Sequence, residues 1–272
     1  MSTTKNHFDD FSKTLREELG LEFSMQLVME NIWQVQFEKI PLKLFYYGIG
    51  VKDRLRIEPA SKSIHLDEDL WVRNPKGLIS RLRAQAGQAR KVNARDTVIS
   101  RIDKKQAMQF QAEHHLNVAL PGKYRFGLFL QGELVSVAVF SGGRKMRGQA
   151  PEYRSFELLR TCHKNGLIVV GGLSKLIRHF EEHFQPGDLM TYVDKDWSGG
   201  QSYLQLGFHI VGELPPQEFW IDSHTLQRYT SFDLPPGLAS MDPEIRRANG
   251  WHRLYNSGSL KLVKKNFIPK FG

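Results

Sequence analysis

The chain has 272 residues, 40% of them hydrophobic, 11% aromatic and 25% charged, with a net charge of +9. That apolar fraction excludes a disordered chain, and 23 glycines with 12 prolines are too few for a collagen-like or low-complexity one. The single cysteine, Cys162, excludes a disulfide framework and a cysteine-built zinc site.

No apolar run reaches the ~18 residues of a membrane span, and the N-terminus has no apolar stretch of signal-peptide type. A cytoplasmic protein without a membrane partner is therefore expected. The positive charge is uneven. Ten Lys/Arg fall between Arg73 and Lys105 against Asp96 and Asp103, and seven more follow Glu244 with no acid among them. Two basic zones of this kind point either to an anionic partner or to a solvated basic surface.

Residues 1–30 read as helical, since Phe8, Phe11, Leu15 and Leu19 recur at spacings of three and four. Residues 33–70 alternate and are rich in β-formers, broken by Pro41, Gly48, Gly50 and Pro59, which predicts a small strand-rich unit. A helix is expected after Asn74-Pro75 through Leu78, Ile79 and Leu82. Gly87 to Arg95 is read as an interdomain linker. Thr97-Val98-Ile99 opens a strand, and Asp103 caps a helix with apolar Ala107, Phe110 and Leu116. Tyr124–Leu130 and Glu133–Phe140 form a hairpin across Gln131-Gly132, and Ser155–Cys162 is a further strand. Val169-Val170-Gly171-Gly172 runs into a helix whose apolar face is Leu173, Leu176, Ile177, Phe180 and Phe184, ended by Pro186-Gly187. Leu189–Val193 is a strand, Ser198–Leu206 a short helix, and Phe208–Val211 and Phe219–Ile221 are the last strands. Beyond Thr230 the chain reads as irregular. The order β-α-β-β-β-α-β-α-β-β predicts a mixed α/β sheet. The expected division is an accessory region over 1–95, an α/β domain over 96–230 and a basic extension over 231–272.

A glycine pair at the start of a helix is a place where an anion can approach free backbone N–H groups, and Lys175 and Arg178 stand in or just after that turn. The same pair also serves a tight turn or a close helix–sheet contact. Neither G-x-G-x-x-G nor G-x-x-x-x-G-K-[ST] is present. About thirty residues on, Ser198-Gly199-Gly200-Gln201-Ser202-Tyr203 leads through Gly207 into Phe208.

Taken together, these two segments resemble the core of the GNAT acyltransferase superfamily over roughly residues 97–222. The match rests on a loop of [Q/R]-x-x-G-x-[G/A] type with Gly171 in place, and on a helix ending in a Y-x-x-x-G-F-like turn at Tyr203 to Phe208. The resemblance implies a mixed, mostly antiparallel sheet flanked by helices, and acyl transfer from acetyl-CoA or another acyl-CoA to an unidentified small-molecule or protein amine, without a metal. It implies that the N–H groups of Gly171, Gly172, Leu173 and Ser174, with Lys175, hold the cofactor diphosphate. Backbone groups of Leu158, Leu159 and Arg160 would receive its arm and polarise the thioester. Tyr203 would protonate the leaving thiolate, and Glu157, expected on one face with Leu159 and Thr161, would act as general base. Ile168 departs from the Gln/Arg of the pattern and Leu173 from its Gly/Ala, and no Asn precedes the Tyr203 helix.

A narrower resemblance is carried by Ala94-Arg95, His114-His115-Leu116, Val169 to Leu176 and Tyr192 to Ser198. These strings are similar to a module that follows nuclease domains of homing or very-short-patch-repair type in phage and bacterial chains. It implies a degenerate nuclease-like unit upstream, since residues 1–95 hold no aspartate followed by an Asp/Glu-x-Lys triplet. The alternative function is a non-catalytic nucleic-acid-associated module on a GNAT-like scaffold, binding through Arg81, Arg83, Arg90 and Lys91. No metal is expected at Glu113-His114-His115 or His163, because adjacent histidines on a helix point about 100° apart. Asp194 and Asp196 read as loop-capping residues or as ligands of a cationic substrate. Cys162 reads as a small buried apolar side chain.

Overall fold

Helix α1 (Thr3–Leu19) buries Phe8, Phe11, Leu15 and Leu19 along one stripe. It stops well before residue 30. Gly20 takes a left-handed φ of 58° and its N–H closes on the Arg16 carbonyl, after which Phe23, Met25, Leu27 and Met29 alternate at strand period. A computed structural model describes residues 3–55 and 62–265. Strands β1 (Phe23–Met29), β2 (Ile32–Phe37), β3 (Leu42–Tyr47) and β4 (Lys62–Asp67) form one sheet in that order. The first three make an antiparallel meander, and β4 lies parallel to β3. Phe8 stacks on Trp33 at 4.5 Å, and Phe11 meets Trp71 edge-on at 5.1 Å. Trp71 belongs to α2 (Glu68–Arg73), which is followed by α3 (Pro75–Gln85).

Next come β5 (Arg90–Asn93), a 3-10 turn (Ala94–Asp96), β6 (Val98–Arg101) and α4 (Lys104–His114), whose Gln106 N–H is capped by Asp103 at 2.8 Å. The hairpin of β7 (Tyr124–Leu130) and β8 (Glu133–Phe140) turns at Gln131-Gly132, both in the left-handed region. Then follow β9 (Ser155–His163), β10 (Leu167–Val170), α5 (Gly172–Phe184), β11 (Asp188–Asp194), α6 (Gln201–Leu204) and β12 (His209–Leu214).

From Ser231 to Lys265 the chain is ordered, contrary to expectation, and the rest of the expected extension lies outside the described residues. Strand β13 (Glu218–Asp222) is flanked by β14 (Arg228–Thr230) and β15 (Trp251–Tyr255), with α7 (Pro236–Ala239) and α8 (Pro243–Ala248) between the last two. A final strand, β16 (Ser259–Lys265), enters a seven-stranded sheet of order β12-β16-β11-β9-β8-β7-β6. Strands β6, β7, β8 and β9 pair antiparallel in succession, while β11 lies parallel to β9. This is the expected mixed, mostly antiparallel sheet flanked by helices. An aromatic core sits under α5, where Phe140 stacks on Phe180 at 4.0 Å and Phe156 meets Phe180 at 5.2 Å. On the other face Ala107 and Phe110 of α4 pack with Val137 and Val139.

The chain forms two compact units. The first is Met1–Ile79, Val193–Gly199 and Glu213–Leu260; the second is Ser80–Tyr192, Gly200–Gly212 and Lys261–Gly272. The expected division at residues 95 and 230 differs from these units at both ends. Gly87–Arg95 is no linker, because β5 pairs in parallel with β10 from Arg90 opposite Leu167 to Asn93 opposite Val170. Residues 231–260 join the first unit through β15, antiparallel to β13. No helix among the described residues is long and apolar enough to cross a membrane.

In the first unit, Asp67, Glu68, Asp69 and Asp196 are all buried. Arg54 donates to Asp67 at 2.5 and 2.8 Å and to Asp196 at 3.3 and 3.0 Å. Arg228 bridges Asp67 at 2.7 Å and Asp69 at 2.6 Å. Burial pushes the Asp67 carboxyl up, but the two guanidiniums override it and hold the group down at about 2. For Asp69 burial wins over Arg228, and its carboxyl is shifted upward.

Candidate active site

The parallel ladder between β9 and β11 covers only Ser155 with Asp188, Phe156 with Leu189, and Glu157 with Met190. Both strands continue, β9 to His163 and β11 to Asp194, without that pairing. On its other edge β9 is bulged: Phe140 faces Leu158 while Val139 faces Arg160, so Leu159 is the extra residue. A bulge leaves one residue out of the ladder, here Leu159 beside the point where β11 departs. It also resets the faces. Leu159 and Cys162 pack with the α4-side cluster around Val137 and Val139. Thr161, opposite Ala138, falls on the other face from Arg160 and Cys162, so the expected row of Glu157, Leu159 and Thr161 is broken at Thr161.

At the parting of the strands stands Thr191, buried on β11. Its hydroxyl donates to the Leu158 carbonyl at 2.9 Å. The Tyr203 phenol stands beside the same Thr191 side chain, whose influence lowers its pKa. Burial raises the Tyr203 phenol above its ordinary value, opposed by Thr191 and by the charge of Arg81, and the group keeps its proton at neutral pH. The ring is held edge-on to Phe208 at 5.5 Å, and Gly207, with φ of 85°, makes the reversal between them. The backbone N–H of Phe208 returns to the Tyr203 carbonyl at 3.2 Å. The tyrosine is thus fixed at both ends.

Glu157, one residue before Leu158, is bonded to Arg144 at 3.2 Å and is 18% exposed against 65% for the arginine. Its backbone N–H is held by the Ser141 hydroxyl at 2.9 Å. Leu158 and Tyr203 are thus both neighbours of Thr191, while Glu157 and Leu159 flank Leu158 on β9. The sequence reading missed Thr191. Its signal was a hydroxyl inside the otherwise apolar run Leu189-Met190-Thr191-Tyr192-Val193, because a buried hydroxyl needs a partner.

The glycine pair sits where expected, at the mouth of α5. Gly171 is the N-cap with a left-handed φ of 76°, and it is exposed, with Leu173 and Ser174 half-buried. Gly172 has a packing reason as well: a Cβ there would lie 2.9 Å from the Val169 Cβ. Lys175 is turned to another task. Its ammonium donates to the Ala94 carbonyl at 2.8 Å, and to the Thr97 carbonyl and hydroxyl, tying the 3-10 turn to α5. The amides of Gly172, Leu173 and Ser174 remain the groups of this turn suited to a diphosphate, with Leu173 half-buried beside them.

Of the four basic residues considered for nucleic acid, Arg90 and Lys91 are exposed on β5. Arg81 is half-buried, and its charge lowers the pKa of Tyr203, Cys162 and His115. It belongs with the buried surroundings of Tyr203 rather than to a solvated patch with Arg90 and Lys91. Arg83 is half-buried. Burial pushes the Cys162 thiol up to about 12, which leaves it protonated and unreactive. No group of three or more His, Cys, Asp or Glu placed to hold a metal occurs among the described residues.

No family model matches the sequence, and no curated protein does. Among solved structures the chain is similar to a histone acetyltransferase HPA2 and related acetyltransferase from Corynebacterium glutamicum, at 12% identity over 64% of this chain and 99% of that one, with a TM-score of 0.40. It is also similar to the IAA acetyltransferase from Bacillus cereus, at 17% identity over 62% and 99%, with a TM-score of 0.34. A GNAT family acetyltransferase from Elizabethkingia anophelis with acetyl-CoA bound is similar at 12% identity over 62% and 98%, with a TM-score of 0.33. At scores and identities this low, the likenesses bear on no residue or reaction of this chain.

Proposed function

We propose that the second unit is an N-acyltransferase of GNAT type, taking its acyl group from an acyl-CoA. The observation that carries this is the parting of β9 and β11 after Glu157 and Met190, with the Thr191 hydroxyl bonded to the Leu158 carbonyl there and the protonated phenol of Tyr203 beside it. The residues present suit the cofactor in part: the exposed α5 mouth offers amides, the bulged strand offers an unladdered residue at Leu159, and Lys175 is already spent on carbonyls. A bound acyl-CoA would supply the activated thioester and its thiol leaving group.

The chain's own residues divide the remaining work. The Gly172, Leu173 and Ser174 amides at the positive end of α5 hold the diphosphate. The backbone at Leu158 to Arg160 receives the arm and polarises the reacting carbonyl, an electrostatic role that needs donors fixed beforehand. Glu157 takes the proton of the incoming amine, directly or through water, and Tyr203 gives its hydroxyl proton to the leaving sulfur. The Thr191 hydroxyl holds the Leu158 carbonyl beside the phenol. The amine is a small molecule or a protein N-terminus or side chain.

Thermal unfolding with acetyl-CoA tests the proposal. Acetyl-CoA at about a hundred times its Kd should stabilise the protein by about 2.7 kcal/mol, a shift of several degrees. Ser174→Glu is the matching variant, because a carboxylate in the first helical turn favours the helix yet repels a diphosphate. It should fold as well as the wild type and lose the shift. No shift in the wild type at millimolar acetyl-CoA would overturn the assignment.

A further inference from the structure

A cavity of about 1040 Å³ lies within the first unit, lined by residues that include Lys52, Leu55, Ser63, His65, Lys195 and Tyr255. Its volume is that of a small-molecule site. His65 on β4 is its buried member, only 6% exposed. The His65 Nδ1 and the Tyr47 hydroxyl are 2.7 Å apart, and the Tyr47 oxygen also accepts the Leu55 N–H at 3.3 Å. Burial, the largest influence on this imidazole, lowers its pKa to about 4, so it is neutral at pH 7.

The protons of this cluster can then be assigned. A neutral imidazole carries one ring proton. If Nδ1 carried it, the Tyr47 oxygen would accept two bonds and its own proton would have no acceptor among the described residues. If Tyr47 donates to Nδ1, every group in the cluster is satisfied and the ring proton sits on Nε2. The Nε2–H then has no protein partner among the described residues and, on a side chain that lines the cavity, is open to it. A donor placed so is satisfied by a ligand or water oxygen.

The nearby cations complete a donor set. Arg54 is not part of it, since its guanidinium is spent on Asp67 and Asp196 and lies 4.5 Å over the Tyr47 ring as a frame. Lys52 makes no ion pair among the described residues, and its ammonium is 5.8 Å from the Tyr255 ring centre. Lys195 pairs with Glu213 at 2.7 Å, both side chains being open to solvent at 35% and 59%. Such a pair is readily exchanged for a ligand charge. Asp53 is the lining carboxylate and is exposed. Leu55, Pro216 and the Tyr255 ring give an apolar wall.

We propose that this cavity binds a small molecule through an oxyanion headgroup, phosphoryl or carboxylate, seated on the His65 Nε2–H and on the Lys52 and Lys195 ammonium groups. The apolar wall receives the body of the molecule. This site lies in the first unit and does not depend on acyl transfer by the second.

The test is an NMR titration of the full chain with inorganic phosphate and, separately, with acetate, following the imidazole resonances of His65, assigned by their loss in His65→Gln. The expected result is a saturable shift of the His65 ring signals by at least one of the two anions. The double variant Lys52→Ala, Lys195→Ala, which alters only solvent-reached side chains, should weaken that binding about tenfold or more. Whichever anion binds more tightly names the headgroup. The proposal is overturned if neither anion moves the His65 signals at tens of millimolar, or if the folded double variant binds as the wild type does.

Discussion

Thr191 gives its hydroxyl proton to the Leu158 carbonyl at 2.9 Å at the residue where β11 leaves β9. One small side chain thus satisfies a strand carbonyl where the ladder ends, and the half-buried phenol of Tyr203 stands beside it. Any reaction in the opening between the strands inherits that geometry.

Thr191→Val keeps the shape of the side chain and removes its hydrogen bond to Leu158. The Leu158 carbonyl then loses that partner, and the expected cost is about 1–3 kcal/mol of unfolding free energy in urea. Thr191→Ser should recover most of it. If the valine variant unfolds at the same urea concentration as the wild type, the hydroxyl does not serve as this joint.

Tyr203→Phe separates binding from chemistry. The phenol is a proton donor in the proposed reaction and no diphosphate ligand, so acetyl-CoA affinity should stay near the wild-type value. Turnover with an accepted amine should fall by about 10²–10⁴, the range for losing a positioned general acid. Equal losses of affinity and turnover would mean that the ring is a wall of the site and nothing more.

Lys175→Met asks whether that ammonium serves the fold or the cofactor. Its hydrogen bonds to the Ala94 and Thr97 carbonyls place it in the fold. The variant should lose about 1–3 kcal/mol of stability through the orphaned carbonyls, with acetyl-CoA affinity unchanged once the folded fraction is accounted for. A large loss of affinity without loss of stability would return Lys175 to the diphosphate.

These cases show what the sequence carries and what it hides. The hairpin at Gln131-Gly132, the Asp103 cap and the apolar stripe of α5 were legible because each depends on neighbours within a few residues. The β5–β10 pairing was not legible, since the exposed run Arg90-Lys91-Val92-Asn93 has no apolar alternation and is a strand only because Leu167–Val170 runs beside it. Lys175 illustrates the same limit at the site. Its position in the first turn of α5 was readable, but its partners lie about eighty residues away in the chain. Tyr203 was singled out by a turn motif, and Glu157 by its place on the strand that precedes the glycine loop. Thr191, Arg81 and the Tyr47–His65 pair gain their meaning from burial and from partners distant in sequence, which no local pattern encodes.

His65 provides a prediction in the first unit that needs no ligand. Its folded-state pKa is about 4, against about 6.5 for an unfolded histidine. The unfolded chain therefore binds a proton between these values that the folded chain does not, and stability rises with pH across that window. The His65 contribution is complete above pH 6.5 and is lost progressively down to pH 4, a span of about 3 kcal/mol at about 1.4 kcal/mol per unit. Asp67 acts lower down: its carboxyl, near 2 when folded and about 3.9 when unfolded, contributes stability above pH 3.9 that disappears as pH falls towards 2. His115 and His163, also near 4 because of burial, titrate in the same window as His65, so the wild-type curve alone does not isolate one residue. His65→Gln keeps an acceptor for Tyr47 and cannot be charged. Denaturant unfolding of both proteins at pH 7, 5.5 and 4 should show the variant losing less stability than the wild type between pH 7 and 4. Parallel curves for the two proteins would show that the imidazole is not held neutral, and the proton assignment on Nε2 would fall with it.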